Sequence, residues 1–435
     1  MWLRATVFGL LMIWLCPSGR AADVLPGPTG KNKAQQQARL KENARILYYS
    51  ALKHRRRDHP ERLNLTQQAL LLLRSDWLHD GTTWPRGALL ASDAAAFIAA
   101  KPVWFALFTP SATRSLAGYA ALRRTLLLEV LDNVAGRLEE WHFDGRDWCP
   151  RAVAAPFAGA PGTLAAQSLH DPLVAHDALG ESYLLTYTDF LTPDSLLLGH
   201  GGSDTLEPLK ARSAYFDAQG MRVEQRFARS KDGTRIPYFV IWPPGATAGG
   251  RNPTLLYGYG GFEVPLQPQY AGSTGVAWYA RGGVQVVANI RGGGEFGPGW
   301  HQAALKDKRQ TAFDDFIAVA EDLTAAGICT PRRLAIKGGS NGGLLVGAVM
   351  LQRPDLFAAV VCQVPLLDMR RYHRLLAGAS WMGEYGDPDD AAQWRWIARY
   401  SPYHNVPGAQ VRLPPVLFTT STRDDRVHPD RKSVV

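Results

Sequence analysis

One glycine-rich stretch of this chain places a serine where it could act as a nucleophile. Residues 338–343 read GGSNGG and fit the pattern G-x-S-x-G, with Ser340 at its centre. The apolar run at 334–336 predicts a buried strand before it, and residues 344–351 predict a helix after it. Strand, tight glycine turn and helix form a nucleophile elbow, in which small neighbours are needed because the backbone is crowded. The chemistry indicated is acyl transfer through a serine hydroxyl, with a helix N-terminus facing the developing oxyanion.

The chain also offers the acid and the oxyanion donors that a serine nucleophile requires. In α/β-hydrolases the triad follows the order Ser, Asp or Glu, His. Asp424 fits the acid because it follows the apolar run at 416–420; Asp425 competes with it, and a capping aspartate in a surface loop is the structural alternative. The oxyanion donors would be the backbone N–H of Asn341 and a group from the loop at residues 257–262, YGYGGF.

The elements that must position these residues indicate an α/β domain over residues 223–435. Near-continuous apolar runs are typical of buried parallel strands, and they occur at residues 254–257, 284–290, 334–336, 358–362 and 416–419. Between them, residues 312–325 predict a helix with one apolar face. Strands alternating with helices favour a mostly parallel sheet.

The first half of the chain has a different pattern. Residues 75–222 contain short strands separated by turns such as Asp144-Gly145, which favours a sandwich or propeller blades. Residues 34–57 have apolar spacing that predicts a helix, and residues 64–74 are interpreted as another. Residues 23–74 are therefore interpreted as a linker and a basic helical segment.

Charge is concentrated in that basic segment. The net charge is +9, and residues 31–62 hold ten Lys or Arg against three Asp or Glu. Such a cluster could contact nucleic acid or an anionic membrane, but no zinc-finger spacing or RNP-type motif accompanies it. We interpret it as a solvated surface and expect no nucleic-acid partner.

The N-terminus predicts export. Residues 1–22 resemble a secretory signal peptide, with Arg4 before the apolar core at 7–15 and small residues at 19–22. The apolar core is too short for a membrane span, and lipidation at Cys16 lacks the small residues expected before it. We therefore expect a periplasmic or extracellular protein. The remaining cysteines, Cys149, Cys329 and Cys362, indicate neither a disulfide framework nor a metal site.

In its motifs the chain resembles the prolyl oligopeptidase family of serine peptidases. The resemblance is carried, in order, by residues 257–262, 289–295 (NIRGGGE), 338–343, 381–386 (WMGEYG) and 424–427 (DDRV). It is strongest over residues 220–429 and weaker over 75–220. The resemblance implies an α/β-hydrolase domain preceded by a β-propeller, with short peptides as substrates and no metal or cofactor.

The resemblance also implies roles for individual residues. Ser340 is the nucleophile and Asp424 the triad acid. The hydroxyl of Tyr259 and the N–H of Asn341 form the oxyanion hole. Arg426 binds a substrate carbonyl through a charge-assisted hydrogen bond.

A proline pocket is the second implication. Trp381 would stack on the ring of a substrate proline, with Phe262, Tyr385 and Val427 lining the same pocket. A flat indole face suits an apolar ring that has no N–H to satisfy; core packing is the alternative for Trp381. The loop at 291–294, RGGG, could cradle a phosphate but is better interpreted as a family loop after a strand.

The triad histidine is the part of the pattern that this chain does not supply. His428 is the only histidine after Asp424, and it lies in the same loop, too close to be the expected base. His301, His373 and His404 precede the acid and would break the family order.

Compared with the family that it resembles, the chain has a shorter hydrolase domain and a shorter propeller region. The chain ends at residue 435, and residues 430–435 depart from the family pattern; their back-translation matches a common sequencing adapter. About 40 to 45 residues form one propeller blade, so residues 75–222 have room for about three blades. We therefore expect a partial propeller, a hydrolase domain truncated at its C-terminus, and an inactive or nearly inactive chain.

Two other interpretations of the function stay open at this point. The first is another α/β-hydrolase activity, an esterase or an oligopeptidase specific for basic residues, against which Trp381 argues. The second is a non-catalytic binding protein built on a decayed hydrolase.

Overall fold

The chain forms two units in the computed structural model. The structure describes residues 10–12, 44–49, 68–153, 161–172, 174, 176–421, 423, 424, 426 and 427. The first unit comprises residues 1–189 with 194–212, and the second comprises 190–193 with 213–435. The predicted boundary at residue 223 lies just inside the second unit.

The first unit is built from antiparallel sheets. Its strands are β1 Leu10–Met12, β2 Ala44–Tyr49, β3 Gln68–Leu73, β4 Trp77–His79, β5 Thr82–Trp84, β6 Leu89–Asp93, β7 Phe105–Phe108, β8 Arg114–Ala121, β9 Thr125–Asp132, β10 Ala135–Phe143, β11 Trp148–Ala152, β12 Gly162–Ser168, β13 Ser182–Asp189, β14 Ser195–His200 and β15 Leu206–Ala211. They form sheets in the orders β1-β2-β3-β6-β7, β11-β10-β9-β8 and β12-β13-β14-β15, with a separate β4-β5 hairpin. A short helix, α1 Ala94–Ile98, follows β6. These three larger sheets are the blades of a partial propeller.

The middle blade packs against both of its neighbours because side chains alternate along strand β9. Leu126 and Leu128 join a buried cluster with Leu89 of the first blade. Leu127 points to the opposite face and joins Leu164 in the third blade. Period-two alternation therefore provides two apolar faces from one strand.

The two helices predicted near the N-terminus are wrong where the structure describes them. Residues 44–49, inside the predicted helix at 34–57, form β2, and residues 68–73, inside the one at 64–74, form β3. These strands pair antiparallel, with Leu47 opposite Leu70. A short leucine run has no periodicity that separates a strand from a helix, and pairing with β6 decides for the strand.

The rest of the N-terminal predictions lie outside the described residues. Only 10–12 of the predicted signal peptide are described, as β1, and the basic cluster at 53–57 is not described. Export therefore stays a prediction. Within the described ranges, no helix combines the length and apolar character needed to cross a membrane.

The second unit contains a seven-stranded mixed sheet. Its strands are β16 Arg222–Arg229, β17 Arg235–Trp242, β18 Thr254–Tyr257, β19 Val284–Ala288, β20 Leu334–Gly339, β21 Ala359–Gln363 and β22 Val416–Thr419, in the order β16-β17-β19-β18-β20-β21-β22. The first two strands are antiparallel to their neighbours, and the other five run parallel. All five predicted apolar runs are therefore confirmed as parallel strands.

Helices connect these strands. They are α2 Gly272–Ala277, α3 Pro298–Gln302, α4 Gln310–Ala325, α5 Asn341–Gln352, α6 Met382–Tyr385 and α7 Ala391–Tyr400, with 3₁₀ turns at Tyr279–Arg281, Lys306–Lys308, Pro331–Arg333, Pro354–Leu356, Tyr372–Arg374, Leu376–Trp381 and Pro402–Asn405. Helix α4 confirms the predicted apolar face, because Phe313, Phe316 and Leu323 are buried in the core beneath it.

A buried ion cluster ties α4 to the sheet. Asp315 of α4 accepts hydrogen bonds from the backbone N–H of Arg291 (3.0 Å) and from its Nε (2.9 Å) and Nη2 (2.6 Å). Asp315 also accepts from the Ser230 hydroxyl at 2.6 Å. Asp232 accepts hydrogen bonds from Nη1 (2.5 Å) and Nη2 (3.1 Å) of the same guanidinium. The guanidinium of Arg291 is thus held by two carboxylates, which gives the RGGG loop a structural role in place of a phosphate cradle.

Candidate active site

Ser340 occupies the sharp turn between β20 and α5. Its backbone has φ 56° and ψ −116°, a region that non-glycine residues rarely adopt. Its N–H donates to the carbonyl of Gln363 at 2.9 Å, and its own carbonyl accepts from Gly343 and Leu344 at the start of α5. The side chain is half-buried. The predicted strand, turn and helix are confirmed, in the geometry of a nucleophile elbow.

The sheet brings the predicted chemical residues to one edge. Strands β18, β20, β21 and β22 are parallel neighbours, so their carboxyl ends meet at the same side of the sheet. Tyr259 follows β18, Ser340 follows β20 and Asp424 follows β22. Residues far apart in the sequence are thereby placed along one edge.

The elbow packs directly on the loop after β18. A Cβ added to Gly342 would lie 2.7 Å from the carbonyl oxygen of Gly258, so only glycine permits this approach. Beside it, the side chain of Asn341 donates from Nδ2 to the carbonyl of Tyr259 at 2.5 Å. Asn341 therefore contributes its buried side chain to the loop that carries Tyr259, in addition to the backbone N–H predicted for the oxyanion hole.

The hydroxyl of Tyr259 is suited to donate a hydrogen bond. Burial raises its pKa above the usual value, and the carboxylate of Glu384 raises it further, while Arg309 and Arg426 act in the opposite direction. A raised pKa keeps the phenol protonated at neutral pH, as an oxyanion donor must be.

Three polar residues to which the sequence predictions gave no role at the site, Arg309, Glu384 and His301, lie behind this loop. Arg309 donates from Nη1 to Glu384 at 2.9 Å and from Nη2 to the side-chain oxygen of Asn341. Glu384 also accepts from the backbone N–H of Phe262 at 2.9 Å and pairs with Nε2 of His301 at 2.8 Å. No local pattern marks Arg309, which ends a run of exposed charges, as an inward-facing side chain.

The ionised state of Glu384 is stabilised by its partners. Burial alone would raise its pKa, but the hydrogen bond from His301 and the positive charge of Arg309 outweigh burial, so the pKa of Glu384 lies below the ordinary value. Glu384 is therefore an anion at neutral pH, buried at 5 % exposure next to Arg309 at 1 %.

The residues of the predicted proline pocket are partly half-buried and partly fully buried. Trp381 and Phe262 are half-buried, and both pack against the core. Tyr385 and Val427 are buried instead, so in this structure they form no exposed pocket wall. The hydroxyl of Tyr385 donates to Asn341 at 2.7 Å, and its ring packs edge-on against Phe262. Tyr385 thus supports the elbow through Asn341, and its predicted contact with a substrate stays a prediction.

Asp424 lies in a turn after β22. Its Oδ1 accepts from the backbone N–H groups of Arg426 (3.0 Å) and Val427 (2.9 Å), and the side chain is half-buried. The side chain of Arg426 is exposed. The alternatives Asp425 and His428 lie outside the described residues.

The other histidines of this unit have partners away from Ser340. His301 contacts Glu384, His373 contacts Asp389 at 2.8 Å, and His404 contacts the hydroxyl of Ser401 at 2.9 Å. Within the described part of the unit, no histidine is hydrogen-bonded to Ser340.

Glu295, in the NIRGGGE motif, supports the chain that follows the Tyr259 loop. Its carboxylate accepts from the N–H of Leu266 at 2.9 Å and from Asn289, and it is 1 % exposed. Burial raises the pKa of Glu295 to about 7.

The raised pKa predicts a pH-dependent stability. Between pH 4.5, the ordinary value, and about 7, the unfolded chain ionises Glu295 while the folded protein keeps it protonated. The contribution of protonated Glu295 to the free energy of unfolding is fully present below pH 4.5. It is lost as the pH rises from 4.5 to about 7. At about 1.4 kcal/mol per pKa unit, the loss is about 3 kcal/mol. Urea unfolding of Glu295→Gln and of the native chain at pH 4.5 and 8 should show the variant gaining relative stability at pH 8. Glu321→Gln, at an exposed site, is the control; a pH-independent difference for Glu295→Gln would contradict the assignment.

The parallel sheet, the strained serine at its edge and the packed Tyr259 loop define an α/β-hydrolase fold with a nucleophile elbow. Residues 270–433 match the Prolyl oligopeptidase family. The chain belongs to this family, and its unit of antiparallel sheets corresponds to part of the propeller.

Individual relatives agree with this assignment. An uncharacterized peptidase, y4nA, of Sinorhizobium fredii is 43 % identical over 365 residues, covering 83 % of this chain and 49 % of the relative. A prolyl endopeptidase of Elizabethkingia meningoseptica is 39 % identical over 245 residues, covering 56 % and 34 %. The structure of a post-proline cleaving enzyme from Rickettsia typhi superposes with a TM-score of 0.75 at 37 % identity, covering 84 % of this chain and 52 % of that one. The chain spans about half the length of the relatives that it matches over most of its own length.

Proposed function

We propose that the second unit is a serine peptidase domain that cleaves short peptides after proline through an acyl-enzyme on Ser340. The observation that carries this proposal is the strained Ser340 elbow, joined through Asn341 to the loop of Tyr259. The names of the Elizabethkingia and Rickettsia relatives support proline as the residue before the cleaved bond.

In the proposed reaction, the hydroxyl oxygen of Ser340 attacks the peptide carbonyl carbon and its proton passes to a base. The carbonyl oxygen becomes an oxyanion, which accepts hydrogen bonds from the N–H of Asn341 and the hydroxyl of Tyr259. The C–N bond then breaks, and the leaving amine takes a proton from the protonated base. Water attacks the resulting ester, and the acid product leaves with Ser340 restored. Asp424 would orient the base, and Arg426 would bind a carbonyl of the peptide.

The base is the missing element of this proposal. The described histidines of the unit are engaged with Glu384, Asp389 and Ser401. We therefore propose that none of the described histidines of this unit serves Ser340 as a base and that turnover by the 435-residue chain is little or none. Binding and the oxyanion hole would supply what catalysis remains.

Proline specificity can be tested without turnover. A peptide boronic acid forms a tetrahedral, anionic adduct with a serine, so its affinity reports on Ser340 and the pocket together. A panel of such peptides with proline, alanine or arginine next to boron should bind in the order proline, then alanine and arginine. Preference for arginine would indicate an oligopeptidase specific for basic residues, and binding unchanged in Ser340→Ala would indicate a non-covalent binding protein.

Trp381 should carry the preference for proline. Trp381→Ala is expected to weaken binding of the proline boronate by about 10- to 200-fold, the range of an apolar pocket contact, and to affect the alanine boronate less. Titration calorimetry measures both affinities. Trp394→Ala, which removes an indole packed against Arg370 and His404, is the matched control. Equal losses for both boronates would assign Trp381 to core packing.

A further inference from the structure

We infer that Arg309 and Glu384 are positioning residues that hold the oxyanion loop, residues 258–263, in place against the Ser340 elbow. The inference rests on the proposed function, because the loop carries the Tyr259 hydroxyl that would bind the oxyanion. Neither side chain needs to touch the substrate for this role.

The guanidinium of Arg309 connects the two parts of the site. One nitrogen, Nη1, binds Oε1 of Glu384 at 2.9 Å, and the other, Nη2, binds the side-chain oxygen of Asn341. The same Oε1 accepts the backbone N–H of Phe262 at 2.9 Å. A continuous chain of hydrogen bonds therefore runs from the first residue of α5 to the end of the oxyanion loop.

Asn341 closes this chain into a ring. Its Nδ2 binds the carbonyl of Tyr259 at 2.5 Å, while its oxygen accepts from Arg309 and from the hydroxyl of Tyr385 at 2.7 Å. The loop is thus held at both ends, at Tyr259 by Asn341 and at Phe262 by Glu384. Arg309 contacts both anchors, the amide of Asn341 and the carboxylate of Glu384, and so couples their orientations.

The backbone of the loop requires such anchors. Phe262 and Glu263 have φ values of 56° and 57°, in the left-handed region that side chains other than glycine disfavour. Each costs about 1–3 kcal/mol and persists only where surrounding contacts impose it. The N–H of Phe262 is bound by Glu384, and that of Glu263 by the carbonyl of Gly292 at 3.2 Å.

Close packing of Gly292 against Gly260 also restricts the oxyanion loop. Gly292 has φ 95°, and a Cβ there would lie 2.4 Å from the carbonyl oxygen of Gly260. The second oxygen of Glu384 is bound by His301 at 2.8 Å, which fixes the carboxylate plane. Removing the negative charge of Glu384, or the second guanidinium nitrogen of Arg309, should therefore release the oxyanion loop while leaving the sheet intact.

Arginine and lysine differ in the feature that the inference needs. A guanidinium presents several N–H donors in a rigid plane, whereas an ammonium is a single point charge. Arg309→Lys keeps the buried charge beside Glu384 but cannot hold Glu384 and Asn341 in the same geometry. Glu384→Gln keeps the shape and loses the charge. Arg353→Lys, at an ion pair with Glu321 and Asp355 on the surface of the same unit, is the matched control.

Hydrogen exchange of the 435-residue chain, followed by mass spectrometry, tests the positioning itself. We expect Arg309→Lys and Glu384→Gln to exchange the amides of residues 258–263 at least 10-fold faster than the native chain, with the amides of β18 and β20 unchanged. Arg353→Lys should leave the loop unchanged. Unchanged loop exchange in both buried variants, or faster exchange throughout the sheet, would overturn the inference.

Ligand binding separates positioning from a general structural role. The affinity of the proline boronate should fall by up to about 10²-fold in Arg309→Lys, comparable to the loss of one oxyanion donor. The affinity of the matching peptide amide, which forms no oxyanion, should change less than about threefold. Equal losses for both ligands would contradict the inference. A native chain that does not bind the boronate would instead count against the proposed function, and the exchange rates would still decide the role of Arg309.

Discussion

An acyl-glycyl-proline p-nitroanilide should be hydrolysed by the 435-residue chain about 10⁶-fold more slowly than by a relative with a complete triad, the loss measured when a triad base is removed. The reason is that the hydroxyl of Ser340 stays protonated when no base is hydrogen-bonded to it. His301, His373 and His404 have other partners in the structure. The measurement is the release of p-nitroaniline at substrate concentrations below KM. Turnover comparable to that of the relative would contradict the proposal.

Imidazole in solution offers a sharper version of this test. If the site lacks only its base, added imidazole should increase anilide hydrolysis in proportion to its concentration. The increase should vanish in Ser340→Ala, which separates it from uncatalysed hydrolysis by imidazole. It should also fall by about 10²-fold in Tyr259→Phe, because an oxyanion donor is lost. An imidazole response that survives Ser340→Ala would show that Ser340 is not the nucleophile.

The largest loss of stability is expected at the buried ion cluster. Asp315→Ala should lower the free energy of unfolding by about 3–5 kcal/mol, because it leaves the guanidinium of Arg291 buried with half of its charge partners removed. The side chain of Asp315 is 0 % exposed and that of Arg291 is 8 % exposed. Asp315→Asn keeps the volume and should still be strongly destabilising. Guanidinium chloride unfolding followed by tryptophan fluorescence measures both variants.

A second acid on the same helix provides the control. Glu321 also pairs with an arginine, Arg353, but its side chain is 51 % exposed. Glu321→Ala should cost less than about 1 kcal/mol, as exposed ion pairs generally do. Similar effects of the two substitutions would contradict the view that burial makes the Asp315 pair important.

The elements of the second unit were predictable because their signals are local. Runs such as Leu334 to Ile336 are apolar throughout, as strands buried on both faces must be, and helix α4 repeats its apolar residues every three or four positions. The GGSNGG stretch specifies the elbow because a backbone that close to Gly258 excludes side chains. The leucine run at Gln68–Leu73 carries no such periodicity, and its pairing with two other strands overrides the predicted helix.

By itself the sequence determined the serine, its elbow, the order of strands and helices and the family, since each depends on residues adjacent in the chain. The tertiary structure decided which side chains support the site. Arg309 lies far from both Glu384 and Asn341 in the sequence and contacts them only in the folded protein. The fold also buries Tyr385 and directs its hydroxyl to Asn341, a contact that no local pattern in the sequence indicates. The physical reason is that a buried polar atom takes its partner from whatever packing brings near it, and no local pattern encodes that partner.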